Sequence, residues 1–204
     1  MPSLFHKHQE LLQKAVETCR IRDYWSPFQE SPRASLHPPG KKLAGKKQFE
    51  TLLGNPFPLS QPGEIGKVGI EVSPYTQREL GIRYPAIDID VVMKAAQKAR
   101  NHWTQCSVEE RIGVCMELIS QLDQNAFVNT YASMHTAGMS FMMGFAGSGA
   151  NALDRGLEAI AYAYRAMQEI PSSSRFQRSF GRGEPTKINK TYRLQSRGVA
   201  VVIC

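Results

Sequence analysis

The stretch at residues 131–167 restricts the fold more than any other part of this sequence. Its second half carries apolar residues at three- and four-residue steps, namely Leu153, Leu157, Ile160, Tyr164 and Met167. This spacing is the helical period, and it predicts one long amphipathic helix with a buried face. Charged residues on the other side are expected to face solvent: Asp154, Arg155, Glu158 and Arg165.

Glycines interrupt the first half of this stretch among Met and Phe residues. They are Gly138, Gly144, Gly147 and Gly149. A glycine inside a helix costs about 1 kcal/mol relative to alanine, so these glycines indicate a special packing role. We expect a turn at Gly138 and close helix packing beyond it.

The N-terminal part of the chain alternates helices with irregular segments. Residues 3–20 have helical spacing, whereas the prolines between residues 25 and 39 predict an irregular segment that follows the surface. Residues 46–53 predict a short helix. Residues 56–85 mix Pro, Gly and β-prone pieces, which predicts an extended arm with room for a small hairpin.

N-cap signals predict three helices in the residues that follow the arm. Asp88 is a good N-cap, because its carboxylate accepts hydrogen bonds from first-turn N–H groups. Ser107 with Glu110 forms a capping box, which predicts another helix. Asn125 is expected to cap a third helix that runs to Gly138.

The C-terminal residues read as strands. Residues 187–195 alternate in polarity, and residues 198–204 form a continuous apolar run, GVAVVIC. Such a run is typical of a strand that is buried on both faces of a parallel sheet. Because a buried strand needs neighbours, we expect this chain to be the N-terminal part of a larger protein, ending at the first strand of a parallel sheet.

Composition indicates a reduced, water-soluble protein. Hydrophobic content of 42% and charged content of 21% are ordinary for globular domains. No apolar run reaches the roughly 20 residues of a membrane span, and the polar N-terminus lacks a signal-peptide core. The widely spaced cysteines favour free thiols, so a cytoplasmic location without a membrane is expected.

Positive charge is concentrated near the C-terminus. Residues 171–204 carry seven basic residues and one acidic residue, which account for +6 of the net charge of +7. A nucleic-acid-binding segment is one interpretation. The preferred one is a loop whose acidic partners lie elsewhere, since no nucleic-acid-binding motif accompanies the charges.

Few residues suggest chemistry on their own. The glycine cluster at residues 144–149 is not GxGxxG and follows no strand, so helix packing explains it better than a phosphate cradle. We interpret His135 as packed or hydrogen-bonded and not as a base, and His6 and His8 as solvated. No metal site is predicted.

Several motifs resemble one enzyme family. They are HTAG at 135–138, FMMGF at 141–145, DRGLEAIAYAY at 154–164, AGKKQFETLLGNPFPLSQPG at 44–63 and RGVAVVIC at 197–204. Together they resemble the phenylacetic acid degradation branch of the aldehyde dehydrogenases, over nearly the whole chain. The Pro-rich arm resembles this branch more than aldehyde dehydrogenases at large.

The resemblance implies an α/β aldehyde dehydrogenase fold with a Rossmann-like cofactor domain in the parent protein. This chain would be mostly α-helical, with an N-terminal helix and arm at 1–86. Residues 87–204 would then be the helical layer and first strand of the cofactor domain. Ile203 and Cys204 would border the cofactor, NAD or NADP.

The implied reaction oxidises a CoA-linked semialdehyde to the acid, in a homo-oligomer. The family's catalytic cysteine, general-base glutamate and oxyanion asparagine would lie beyond residue 204, so no catalytic residue is assigned and the chain alone is expected to be inactive. Cys204, Cys106 and Cys115 match no catalytic position. Two alternatives are a helical module that binds acidic partners or nucleic acid through residues 175–197, and an inactive gene product.

Overall fold

The computed structural model describes residues 3–202 of the chain. Its α-helices are α1 (Leu4–Lys7), α2 (Gln9–Ile21), α3 (Lys41–Glu50), α4 (Ile89–Gln105), α5 (Val108–Gln124), α6 (Ala126–Ala137), α7 (Phe141–Phe145) and α8 (Ala152–Gln168). A 3₁₀ turn (Ala34–Leu36) and a π-helical segment (Ala146–Asn151) interrupt them. The strands are β1 (Glu64–Val68), β2 (Tyr84–Ile87), β3 (Ser173–Arg178) and β4 (Thr186–Thr191). The mostly helical fold predicted for this chain is therefore confirmed.

The main core lies where α2, α5 and α8 meet. Its buried side chains come from all three helices: Leu12, Ala15, Ile112, Met116, Ile119, Leu153, Leu157 and Ala161. The predicted inward face of α8 is confirmed at Leu153 and Leu157, whereas Ile160, Tyr164 and Met167 are only partly buried. Burial of these aliphatic side chains is the main force that holds the three helices together.

The N-terminal helix is divided into two pieces at His8. His8 is 8% exposed, and its Nε2 atom lies 2.7 Å from Oε2 of Glu117 on α5. The prediction that His8 is solvated is therefore wrong, because α1 turns back to pack on α5. The close approach depends on Gly113, where a Cβ atom would lie 2.6 Å from the backbone nitrogen of Phe5.

Two of the three predicted helix caps are confirmed. Asp88 accepts hydrogen bonds from the amides of Asp90 and Val91, and Ser107 with Glu110 forms both bonds of the capping box. Asn125 does not cap α6. Its side-chain amide donates to the carbonyl of Gln121, so it closes the preceding helix instead.

A second core joins the arm to α3 and α6. Phe49 of α3 is buried with Leu80 and Ile82 of the arm. Within the arm, β1 pairs antiparallel with β2 and contains a register shift between Glu64 and Gly66. The expected hairpin thus exists, although a long connection separates its strands. Helix α3 occupies 41–50, earlier than the predicted 46–53.

The glycine-rich stretch contains a turn at Gly138 and, further on, a wider π-helical segment. Gly138 ends α6 with φ of +70°, a conformation that favours glycine, which confirms the predicted turn. Gly144 packs near Thr130, where a Cβ atom would make a 3.4 Å contact. No atom would lie within 4 Å of a Cβ at Gly147 or Gly149, so close packing does not explain these two. They lie in the π-helical segment, which kinks at Gly149.

The C-terminal strands differ from the prediction. β4 overlaps the predicted 187–195 strand, and its antiparallel partner β3 was missed, since its SSRFQR sequence lacks a strand-like apolar pattern. Residues 198–202 form no strand, and Val201 and Val202 are 73% and 82% exposed. No strand among residues 3–202 pairs with them. The buried strand was expected within the sheet of a larger protein, so it stays a prediction.

Candidate functional site

The two predicted cofactor-binding residues lie outside the described part of the chain. Ile203 and Cys204 follow directly after the exposed Val201 and Val202. Their role therefore stays a prediction. The division of the chain at residue 86 also stays a prediction.

The basic C-terminal segment forms an exposed hairpin. Every residue of β3 and β4 is exposed, and Phe176 stands opposite Ile188 on one face. The Nζ atom of Lys190 lies 5.2 Å from the centre of the Phe176 ring, within cation–π range. The hairpin therefore presents cations and free strand edges to its surroundings, and it encloses no site.

A groove of about 710 Å³ lies beside the start of the hairpin. It runs between the N-terminus of α5 and the C-terminus of α8. One wall is fixed by Arg193, which donates to the side-chain oxygen of Gln105 at 2.7 Å. The positive end of the α5 dipole already faces Glu109 and Glu110 in its first turn, so the groove is not an open anion site.

His135 is held in place by ring stacking and by a hydrogen bond. Its ring stacks on Phe49 at 5.2 Å, and its Nδ1 lies 2.8 Å from the hydroxyl of Ser73, which is fully buried. The same hydroxyl accepts from the amides of Tyr75 and Thr76 at 3.3 Å, so its proton is directed at Nδ1. The interpretation of His135 as a packed, hydrogen-bonded residue agrees with this geometry.

The described cysteines lack the features of a nucleophile. Burial raises the pKa of the Cys19 thiol and that of the Cys115 thiol. A catalytic thiolate needs the opposite shift, from a neighbouring cation or a helix N-terminus. Cys106 ends α4, where its thiol donates to the carbonyl of His102. No cysteine among residues 3–202 is therefore arranged to attack an aldehyde.

The position of Asp154 differs from the one predicted. It is 9% exposed and not on the solvated face, because its helix packs against the segment that follows α2. Glu158 behaves as expected, since its Oε2 pairs with the exposed Arg155 at 2.7 Å. Sequence reasoning missed Asp154 although a signal existed. It lies three residues before Leu157 and seven before Ala161, both buried.

Metal and membrane features are absent from residues 3–202. These residues bring no three His, Cys, Asp or Glu side chains together in a way that would hold a metal ion. None of their helices combines the length and hydrophobicity of a bilayer-crossing segment.

Comparison with known proteins points to one enzyme class. No protein-family profile and no curated protein sequence matches the chain. The chain is similar to the crystal structure of an NAD-dependent aldehyde dehydrogenase from Burkholderia multivorans, with 36% sequence identity and a TM-score of 0.87. The match covers 94% of this chain and 34% of that protein, so the chain spans about a third of its relative's length. Fold and identity together support the assignment of this chain to the aldehyde dehydrogenase superfamily.

Proposed function

We propose that this chain is the N-terminal part of an aldehyde dehydrogenase of phenylacetic acid degradation. The observation that carries the proposal is the similarity over 94% of the chain to an NAD-dependent aldehyde dehydrogenase. The motifs at 44–63 and 135–164 support the narrower branch. The proposed reaction oxidises a CoA-linked semialdehyde to its acid in a cytoplasmic homo-oligomer. NAD is favoured over NADP because the relative is NAD-dependent.

The described residues do not form a cradle for a dinucleotide. The glycine cluster at 144–149 continues a helix and follows no strand, whereas a Rossmann turn joins a strand to a helix. No step of hydride transfer is therefore assigned to residues 3–202. Their proposed contribution is a helical layer on which the cofactor-binding part is built.

Unpartnered surfaces support a larger folded unit. Helix α4 has 17 residues and none is buried, although Val92, Ala96 and Trp103 share one side of it. An amphipathic helix of this length normally covers a core. Together with the hairpin β3–β4, α4 offers surface on which further protein would pack.

Two experiments test this function. The coding sequence after the Cys204 codon is expected to continue with a crossover helix and a distant cysteine. The longer protein is expected to reduce NAD with a CoA-linked semialdehyde faster than with the corresponding free semialdehyde acid. The 204-residue chain, assayed in parallel, is expected to give no turnover. A stop codon directly after Cys204, or turnover by the chain alone, would contradict the proposal.

A second candidate function rests on the exposed basic hairpin. A helical module that binds acidic partners through residues 175–197 would show salt-dependent binding of duplex DNA or RNA, because phosphate contacts release counterions. Fluorescence anisotropy with a labelled duplex distinguishes the two functions. If the aldehyde dehydrogenase proposal is right, the chain does not bind the duplex. The natural chain and a variant with Lys187 and Lys190 replaced by glutamine then give the same low anisotropy.

A further inference from the structure

Exposed methionines are concentrated where α6 is connected to α7. Three of the eight methionines of the chain lie within residues 139–143, namely Met139, Met142 and Met143, and we refer to these three as the methionine turn. Methionine is usually buried in folded proteins. Here Met142 and Met143 are 56% and 63% exposed, and Met139 is exposed as well. The methionine turn therefore presents three thioether side chains to solvent.

The start of α7 holds two of these side chains on the outside. Ser140 caps α7, since its hydroxyl accepts a hydrogen bond from the amide of Met143. Phe145 of the same helix is buried and lies 4.8 Å from Phe127, measured between ring centres. Because this side of the helix packs on the core, Met142 and Met143 remain accessible.

The sulfur atom of Met139 has a hydrogen-bond donor beside it. The hydroxyl of Ser148, in the π-helical segment, lies 3.5 Å from Sδ of Met139. A thioether sulfur is a weak acceptor, so this contact engages a lone pair of the sulfur without a strong bond. The hydroxyl of Tyr75 also donates to the backbone carbonyl of Met139, at 2.8 Å. Met139 is therefore more constrained and less exposed than Met142 and Met143.

The other methionines and cysteines among residues 3–202 are buried or only partly exposed. The most protected methionine of the core is Met116, which is 1% exposed. An oxidant dissolved in water reaches a buried thioether only when the surrounding structure opens. The chain thus contains two classes of thioether, one at the methionine turn and one inside the core.

From this exposure and the local geometry, we propose that the methionine turn is a site of oxidative modification by hydroperoxides, and that Ser148 slows the reaction at Met139. The thioether sulfur attacks one oxygen of the hydroperoxide, so that a sulfur–oxygen bond forms and the oxygen–oxygen bond breaks. Sulfur loses two electrons and becomes a sulfoxide. The second oxygen takes up the proton that the transferred oxygen gives up, and it leaves as water or an alcohol. The inference is independent of the proposed aldehyde oxidation, because it uses no residue assigned to that reaction.

Oxidation changes the character of this surface. A sulfoxide is polar, whereas a thioether is apolar. The methionine turn therefore responds to peroxide by losing apolar surface, while Met116 keeps its thioether and the core its packing.

Peptide mass spectrometry of the full 204-residue chain measures where oxidation occurs. The chain is treated with excess hydrogen peroxide at neutral pH, the reaction is stopped with catalase at successive times, and each methionine is followed for the gain of one oxygen atom. Fragment ions separate the adjacent Met142 and Met143. We expect both to be oxidised at least about tenfold faster than Met116, with Met139 at an intermediate rate.

The same treatment in concentrated guanidinium chloride is the control for the fold. Unfolding exposes all methionines, so the rates at Met116 and at the methionine turn should become equal. The proposal is overturned if Met116 is oxidised as fast as Met142 and Met143 in the folded chain. It is also overturned if the difference between them persists in the denaturant, since the fold would then not be its cause.

Ser148→Ala tests the contact at Met139. Loss of the hydroxyl frees the sulfur lone pair, so Met139 should be oxidised about twofold faster or more, with the other two methionines of the turn unchanged. Thr136→Ala is the matched control, because its exposed hydroxyl donates to the carbonyl of Ala132 and not to a sulfur atom. An unchanged rate at Met139 in Ser148→Ala, or an equal rise in Thr136→Ala, overturns the role of Ser148.

Discussion

Nε2 of His8 and Oε2 of Glu117, 109 residues apart in the chain, lie 2.7 Å apart. Lys7 donates to the same carboxylate oxygen at 2.7 Å, and Gln121 donates to the other oxygen. Three donors from two elements therefore meet at one carboxylate. This contact fixes the break between α1 and α2 against the outer side of α5.

Acid is expected to weaken the contact at Glu117. Hydrogen bonds from Lys7, His8 and Gln121 lower the pKa of Glu117 from 4.5 to about 2. A lowered pKa gives stability that is present above pH 4.5 and is lost as the pH falls toward 2. Urea unfolding between pH 2 and 6 should show this loss for the natural chain. Glu117→Gln should flatten the dependence, whereas Glu169→Gln, at an exposed position, should leave it unchanged; equal curves for all three proteins would contradict the assignment.

Asp154 should have the opposite pH dependence. Burial raises its pKa above 3.8, and the nearby Ser26 hydroxyl opposes this shift to a smaller extent. A raised pKa means that the folded state holds the proton more tightly, so this contribution is present below pH 3.8 and is lost as the pH rises. Asp154→Asn removes the buried charge and is expected to stabilise the chain at neutral pH by about 1 kcal/mol or more. A lower melting temperature for this variant at pH 7 would show that the carboxylate has a stabilising partner.

Gly113 should not accept a side chain. A Cβ atom there would lie 2.6 Å from the nitrogen of Phe5, so Gly113→Ala must push α1 away from α5. Overpacking of this kind costs about 1–3 kcal/mol. Gly147→Ala is the matched control, because no atom would lie within 4 Å of its Cβ and alanine favours helix. Chemical denaturation should give a lower free energy of unfolding for Gly113→Ala than for the natural chain, and no loss for Gly147→Ala. Equal free energies of unfolding for the two variants would argue against the close helix contact.

The hydroxyl of Ser73 should set the proton position on His135. Because that hydroxyl accepts from two backbone amides, it donates to Nδ1, and His135 then carries its own proton on Nε2. Nitrogen chemical shifts of the ring should report this tautomer. Ser73→Ala should change the tautomer and cost about 1–3 kcal/mol, since three polar groups lose a partner. Thr136→Ala, one residue from His135 but exposed, should cost less than about 0.5 kcal/mol and keep the tautomer.

Local signals in the sequence were sufficient for much of the fold. The caps at Asp88 and Ser107 and the turn at Gly138 were predicted correctly, because each depends on hydrogen bonds or dihedral angles within a few residues. The buried half of α8 was predicted from its spacing. The superfamily was recognised from motif resemblance and not from catalytic chemistry, since no catalytic residue is assigned among the described residues.

The errors concern contacts between distant residues. His8 is buried by α5, and that contact cannot be read from residues near the terminus. Asp154 was assigned to the solvated side of α8 together with Arg155, Glu158 and Arg165, whereas it is buried. Its spacing to Leu157 and Ala161 would have placed it correctly.

The hairpin β3–β4 also governs how copies of this chain behave toward one another. Two strands that pair only with each other within residues 3–202 have a free outer edge each, which is a template for pairing with another copy. The basic side chains at Arg175, Arg178, Lys187 and Lys190 oppose that pairing by mutual repulsion. Repulsion between exposed charges reaches about 10 Å in 0.1 M salt and only about 3 Å in 1 M salt, because dissolved ions screen it. Concentrated salt therefore removes the protection that charge gives to these edges, so dilute buffers keep the chain dispersed.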